Sequence, residues 1–389
     1  MSFENFDIID WIVLSVLGAM FLAQILWYVC LLAAPMRKTR KSTKDNIQST
    51  KEMPAVSVIL CAHNEEFNLS QYLPALLTQD YPEYEIIVVD DGSEDDTRTV
   101  VESFMARDKR IHLTFVPYGA RVGSTKKLAL TLAAKAAQYD YLLLTDADCT
   151  PESRHWVAEM MTGFGEGQTT KDIVLGFGAY FSEPTHVNRL VQYDTLFNGL
   201  HYLGAALWGM PYMGVGRNLA YRKALFFESG GFSHLMTNRA GDDDLFVNHV
   251  ATAQNTTVVL SPKALTWSPA KRTLREWFLQ KRRHLSVSPS YKLSTKMQLL
   301  FEPLTRGIWY LAFVAAIVYA VLLKSFMPLS IACGLFLLRW AVQVAVINLS
   351  ARRLGLKMFR PFTILWFDIV LPIVNLWMLA VPTRNNNKW

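Results

Sequence analysis

The chain has 389 residues, of which 51% are apolar, 12% aromatic and 19% charged, and it carries a net charge of +6. That length holds one sizeable soluble domain with residues to spare, and so apolar a chain is not a disordered one. The positive balance raises nucleic acid as a partner, but the basic residues follow apolar segments and build no groove or aromatic platform, so no nucleic acid is expected.

Taken from the start, Trp11 to Ala34 is a run of 24 residues without a charge. At about 1.5 Å per residue it exceeds a hydrocarbon core of about 30 Å. It is too long for a signal-peptide core, has an acidic leading segment and is followed by no small-residue cleavage site, so residues 1–35 read as a permanent membrane anchor. A basic linker, 36–52, follows with Arg37, Lys38, Arg40, Lys41, Lys44 and Lys51. Four cysteines without paired spacing exclude a disulfide framework and a thiolate metal site.

From 53 to 270 strands and helices alternate. Strands are expected over Val56–Ala62, Tyr84–Asp90, Ile111–Val116 and Tyr141–Thr145, and helices over Leu69–Leu77, Asp95–Arg107 and Ser124–Gln138. Such alternation implies an α/β domain with a mainly parallel sheet covered on both faces. Ligands bind such sheets outside the carboxyl ends of the strands. Polar clusters fall there: His63-Asn64-Glu65, Asp90-Asp91-Gly92-Ser93 and Asp146-Ala147-Asp148. The last pair ends an apolar strand, and two carboxylates one residue apart suit a hard divalent cation, Mg²⁺ or Mn²⁺. The plain structural alternative is an acidic turn before the helix start at Thr150-Pro151-Glu152.

Beyond 270 the chain turns amphipathic over 271–303 and then apolar over 304–382, with a short tail at 383–389. Gly307–Leu323 is uncharged, Ser325–Ser350 contains only Arg339, and Pro361–Pro382 only Asp368. These make three further spans. Charges at such depth cost roughly 2.5–3.5 kcal/mol each on insertion scales, so Arg339 and Asp368 are expected to face one another. Arg352, Arg353, Lys357 and Arg360 lie between the last two spans. Basic clusters mark the cytoplasmic side, which puts the N-terminus outside, the 40–300 region in the cytoplasm, a tight hairpin around Lys324 outside, and the protein in a cell inner membrane.

The runs Ser57–Glu65, Ile87–Ser93 and Asp146–Asp148 resemble the opening of family 2 glycosyltransferases with a GT-A fold. Gly241-Asp-Asp-Asp-Leu245 and Gln280-Lys-Arg-Arg-His284 stand where the membrane-embedded branch, which includes cellulose, chitin, hyaluronan and poly-N-acetylglucosamine synthases, has Thr-Glu-Asp and Gln-x-x-Arg-Trp. The resemblance implies an inverting transfer from a UDP-sugar donor to a glycan or lipid-linked acceptor. It implies nucleotide contacts at Asp90, Asp91 (preferred, directly before Gly92), Glu65, Lys126, Asp146, Gln280 and Arg283. It places the metal on Asp146 and Asp148 and the general base on Asp242, with Asp243 the one-residue-slip alternative. The acceptor side would be Gly216 and Asn218, within Gly214-Val-Gly-Arg-Asn218, and His284. Histidine at 284, where the family has Trp, puts processive chain growth in doubt. Four spans are few for a polymer channel, which leaves a lipid-linked acceptor or a partner subunit as the expectation. A processive synthase subunit and an inactive sugar-nucleotide-binding subunit are the competing readings.

Overall fold

The computed structural model describes residues 8–37, 53–117, 119, 124–165, 171–236, 240–322 and 326–380. The basic linker from Lys38 to Lys51, the hairpin at Lys324 and the C-terminal tail lie outside the described residues. The chain divides into two compact units, Lys38–Tyr291 and Met1–Arg37 with Lys292–Trp389.

The first unit is a three-layer α/β domain. Its strands are β1 (Val56–Ala62), β2 (Tyr84–Asp90), β3 (Ile111–Phe115), β4 (Tyr141–Leu144), β5 (Thr150–Pro151), β6 (Ile173–Leu175), β7 (Gly178–Tyr180), β8 (Leu219–Arg222), β9 (Thr256–Val258) and β10 (Thr266–Ser268). Seven form one sheet in the order β3-β2-β1-β4-β8-β6-β9. β3, β2, β1 and β4 run parallel, and β8 is antiparallel to both β4 and β6. The first four strands are near-continuous β-branched and Leu runs because helices cover both faces of a parallel sheet. β2 is buried at every position. Val58, Leu60, Ile86, Val88 and Leu143 share one core with Trp156 and Phe164.

The helices Glu66–Leu77, Thr97–Met105 and Thr125–Ala136 connect these strands. Ser124 caps the last of them by accepting from the Lys127 amide, which satisfies one of the free N–H groups of a helix start. A small sheet, β5-β10-β7, adjoins the domain, with β10 parallel to β7 and antiparallel to β5. Strands of two or three residues carry too little hydrophobic period to be read from sequence.

The second unit holds four helices long and apolar enough to cross a membrane, spanning Trp11–Leu32, Leu293–Leu322, Leu329–Arg353 and Pro361–Ala380. The first passes from an α-helix, Ile8–Leu26, into a π-helical stretch, Trp27–Leu32. Leu17, Phe21, Trp309, Ala316 and Ala332 pack inside, while Leu311, Phe362, Trp366 and Leu376 are exposed. An apolar exterior over a packed interior is what lipid contact favours.

The expected pair of charges forms. Arg339 Nη1 lies 2.8 Å from Asp368 Oδ2, and Arg306 Nη1 lies 2.9 Å from Asp368 Oδ1. Tyr310 Oη also donates to Asp368 at 2.6 Å, Arg306 reaches Glu302 at 2.8 Å, and Arg339 reaches Gln24 Oε1 at 2.8 Å. All four helices contribute to this buried network. Two arginines against Asp368 and Glu302 make it neutral by side-chain charge, which limits the desolvation cost of buried charges.

Candidate functional site

The register β1∥β2 and β1∥β4 places Ala62, Asp90 and Leu144 toward the same edge of the sheet. The turns that follow are tied together. Asn64 adopts φ +58°, a left-handed conformation that Asn tolerates better than most residues. Its amide donates to Ser93 Oγ at 3.0 Å and its Oδ1 accepts from the Glu94 amide at 2.8 Å. The Asp91 amide donates to the Ala62 carbonyl at 2.8 Å.

Asp90 and Asp91 face different tasks. Asp90 Oδ1 accepts from the Ser93 amide at 2.9 Å and so closes the Asp-Asp-Gly-Ser turn. Asp91 Oδ2 accepts from Thr125 Oγ1 at 2.7 Å, at the start of the helix Thr125–Ala136. Burial pushes the Asp91 carboxyl up, against that hydrogen bond. Glu65 is half-buried and accepts from Asn68 at 2.5 Å. Its carboxyl is raised by burial, then by the charges of Asp148 and Asp146, so it shares their field.

Asp146 and Asp148 stand beyond β4 with Cys149, their donor atoms all within 4.8 Å of one another. Burial, then repulsion from Asp146, raises the Asp148 carboxyl. A cation between the two carboxylates would relieve that repulsion. Burial holds the Cys149 thiol well above its ordinary range, and its Sγ contacts Asp148 Oδ1 at 3.4 Å. The carboxylate oxygens of Asp146 and Asp148 are hard donors of the kind that suit Mg²⁺ or Mn²⁺. The residues present fit a hard divalent ion.

Lys126 connects this pair to the acidic segment 241–245. Its Nζ lies 3.2 Å from Asp146 Oδ1 and 3.1 Å from Asp242 Oδ2. Burial opposes the ammonium charge, but Asp146, Asp242 and Asp243 outweigh it and keep Lys126 protonated. Burial likewise pushes Asp242 up, but the Lys126 charge and hydrogen bond reverse this and leave it below its usual value. Lys127 is fully buried and donates to the carbonyls of Leu235 and Ala240, each at 2.8 Å. Gly241 adopts φ +84°, and a Cβ there would meet Leu245 at 2.6 Å. That geometry explains glycine where the related motif has Glu.

Asp243 and Asp244 are held differently. Asp243 accepts from the Gly216 amide at 2.6 Å and from the Asp244 amide at 2.8 Å, capping the helix Asp244–Val250. Burial, then Asp242, raises its carboxyl to about 6. Asp244 is buried, accepts from Tyr291 Oη at 2.8 Å, and is raised by burial and by Asp243 to about 7.

The acceptor-side expectations need one correction. Asn218 is wholly buried. Its Oδ1 accepts from Trp156 Nε1 at 3.0 Å, and its Nδ2 donates to Phe177 and Ala264 carbonyls at 3.0 and 2.7 Å. An amide so occupied pins the strands and cannot meet a sugar. Gly216 is also buried and serves Asp243 through its amide.

Gln280, Arg283 and His284 lie on the helix Leu274–Leu285, which begins with a Thr273–Glu276 capping box. Gln280 Nε2 donates to Tyr180 Oη at 3.2 Å. Arg283 and His284 are exposed.

Arg217 belongs with the site although only its glycine and asparagine neighbours stood out in the sequence. Its guanidinium packs 4.1 Å from the Tyr180 ring centroid and donates to Ser268 Oγ at 2.7 Å. Its charge acts against the raised values of Asp148 and Cys149. The signal was an arginine inside the glycine-containing loop Gly214–Asn218.

The carboxylate pair beyond β4, the lysine that bridges it and the second acidic segment thus gather outside the carboxyl ends of the parallel strands, where ligands bind such sheets. Residues 57–233 match the family model of glycosyl transferase family 2. The chain is 28% identical over 239 residues to the probable glycosyltransferase YdaM of Bacillus subtilis, covering 61% of this chain and 56% of that one. It is 33% identical over 98 residues to the poly-beta-1,6-N-acetyl-D-glucosamine synthase of Staphylococcus epidermidis, 25% of this chain and 23% of that one. The chain thus spans about half, or less, of the length of these relatives. Among solved structures, the mannosyltransferase PcManGT of Pyrobaculum calidifontis, in complex with GDP-Man and Mn²⁺, superposes with a TM-score of 0.55 at 20% identity, covering 89% of this chain and 98% of that one. The chain carries a family 2 glycosyltransferase domain with the GT-A fold.

Proposed function

We propose that the protein is an inverting, metal-dependent glycosyltransferase that moves a sugar from a UDP-sugar to a glycan or lipid-linked acceptor at the cytoplasmic face of a cell inner membrane. The observation that carries this reading is the bridge Asp146–Lys126–Asp242, which joins the metal-type carboxylate pair to the candidate base within two hydrogen-bond lengths. Asp146 and Asp148 would hold Mg²⁺ or Mn²⁺, which would offset the charge of a departing diphosphate. Mn²⁺ in the similar mannosyltransferase supports the metal class.

Asp242 takes the proton of the acceptor hydroxyl, a contribution typically worth about 10²–10⁴-fold. The Lys126 charge and hydrogen bond keep it ionised. Asp91 reads the nucleoside from the β2 tip, while Lys126 and the exposed Arg283 meet phosphate oxygens. Arginine's fork of donors suits a diphosphate. One base and one in-line displacement invert the anomeric centre. Exposed apolar helices and the neutral polar network support residence in a bilayer.

The GDP-Man of the similar mannosyltransferase favours one alternative donor class, a GDP-sugar, on the same machinery. Nucleoside-diphosphate release by detergent-purified protein, across UDP- and GDP-sugars with Mn²⁺, Mg²⁺ or EDTA, tests the reading. Metal-dependent release from one donor, lost in Asp148→Ala, is expected. Metal-independent release, or full activity of Asp148→Ala, contradicts it.

A further inference from the structure

Lys126 stands where two different partners need to be. Its ammonium touches Asp146, one of the two metal-type carboxylates, and Asp242, the candidate base, at 3.2 and 3.1 Å. An ammonium is a compact charge on a flexible stem, able to change partners by rotamer motion alone. The backbone around it is secured separately. Buried Lys127, the next residue, donates to the Leu235 and Ala240 carbonyls, and Asp243 is fixed by the Gly216 and Asp244 amides. The helix Thr125–Ala136 and the segment leading to Asp242 are therefore joined without help from Lys126.

We propose that Lys126 is an exchangeable internal cation: without donor it bridges Asp146 and Asp242, and the metal ion together with the nucleotide diphosphate displaces it onto phosphate oxygens, releasing Asp242 for the acceptor. This rests on the proposed glycosyltransferase reading and adds an order of events to it. Metal alone has to compete with the ammonium for Asp146. Metal with nucleotide does not, because the displaced ammonium gains a phosphate partner. The two ligands then bind cooperatively through Lys126, and by linkage the coupling is the same in either order of addition.

The test is Mn²⁺ binding, read by electron paramagnetic resonance of the free ion, on full-length protein in detergent with and without UDP, and with GDP in a parallel series. Wild type, Lys126→Met, Lys126→Gln, Lys126→Arg and Asp148→Ala are compared. Removing the ammonium is expected to tighten binding of Mn²⁺ alone by about tenfold and to shrink the nucleotide's enhancement by a similar factor, in line with couplings of roughly 5–150-fold. Lys126→Arg, which keeps the charge, is expected to follow wild type. Thermal melting provides the fold control: Lys126→Met and Lys126→Gln should melt lower than wild type without Mn²⁺ and recover with it.

Unchanged or weaker binding of Mn²⁺ alone to both neutral variants, beside normal Asp148-dependent binding to wild type, overturns the exchange and leaves the glycosyltransferase reading standing. Wild type that binds no Mn²⁺ with or without nucleotide overturns both.

Discussion

The amide of Gly216 donates to Oδ2 of Asp243 across 2.6 Å, tying the Gly214–Asn218 segment to the acidic run at 241–245. Its other oxygen takes the Asp244 amide, so Asp243 works as a clamp and a helix cap. Asp242, one residue earlier, keeps its carboxylate for Lys126. The two neighbours are therefore expected to separate by substitution. Asp243→Ala should lower stability by about 1–2 kcal/mol, the usual cost of a lost cap and its amide bonds, with nucleotide release reduced less than in Asp242→Asn. Thermal melts and initial rates on the same preparations check both halves.

Asp244 gives the α/β unit a pH dependence. Its folded value of about 7 lies above the unfolded value of about 3.9. The native state holds the proton more tightly, so this contribution is present in full below about pH 4 and is lost as pH rises through about 7. Asp244→Asn keeps an acceptor for Tyr291 Oη and removes the titration. The fall in melting temperature between about pH 5 and about pH 8 should be smaller in Asp244→Asn than in wild type by several degrees, at about 2–4 °C per kcal/mol. Equal slopes would contradict the assignment.

Asn218 is expected to act on folding and not on acceptor binding. Asn218→Ala orphans the Trp156 indole N–H and the Phe177 and Ala264 carbonyls, at roughly 1–3 kcal/mol for each buried group left unpaired. The melting temperature should drop sharply, while the acceptor KM of the folded fraction stays at the wild-type value.

In the membrane unit, Asp368→Ala leaves Arg306 and Arg339 without their shared carboxylate. Breaking a buried ion pair by removing one partner costs about 3–5 kcal/mol. Loss of folded protein in detergent is expected for Asp368→Ala. Asp368→Asn, which keeps an oxygen for Tyr310, should be milder.

Much of the site was legible because its carboxylates are neighbours in sequence. The β1 and β2 boundaries matched because buried, β-branched runs announce themselves, while the helices end within a few residues of the expected positions because caps and turns decide their ends. The Asp-x-Asp pair needs only a strand end to reach the sheet edge. The resemblance singled out Lys126, but its bridging position was not legible, since its partners lie 20 and 116 residues away in sequence, at Asp146 and Asp242. Asn218 misled for the same reason: beside glycines it reads as a loop amide, and its burial depends on Trp156, which is distant in sequence. The strands of the β5-β10-β7 sheet, two or three residues each, are too short to show a period.

The most direct test follows a labelled sugar from the accepted donor into a membrane lipid extract, using wild type and Asp242→Asn at equal folded concentrations. Transfer by wild type in the presence of Mn²⁺ or Mg²⁺, reduced by about 10²–10⁴-fold in Asp242→Asn, is the result this site predicts. Transfer by Asp242→Asn at the wild-type rate would contradict it.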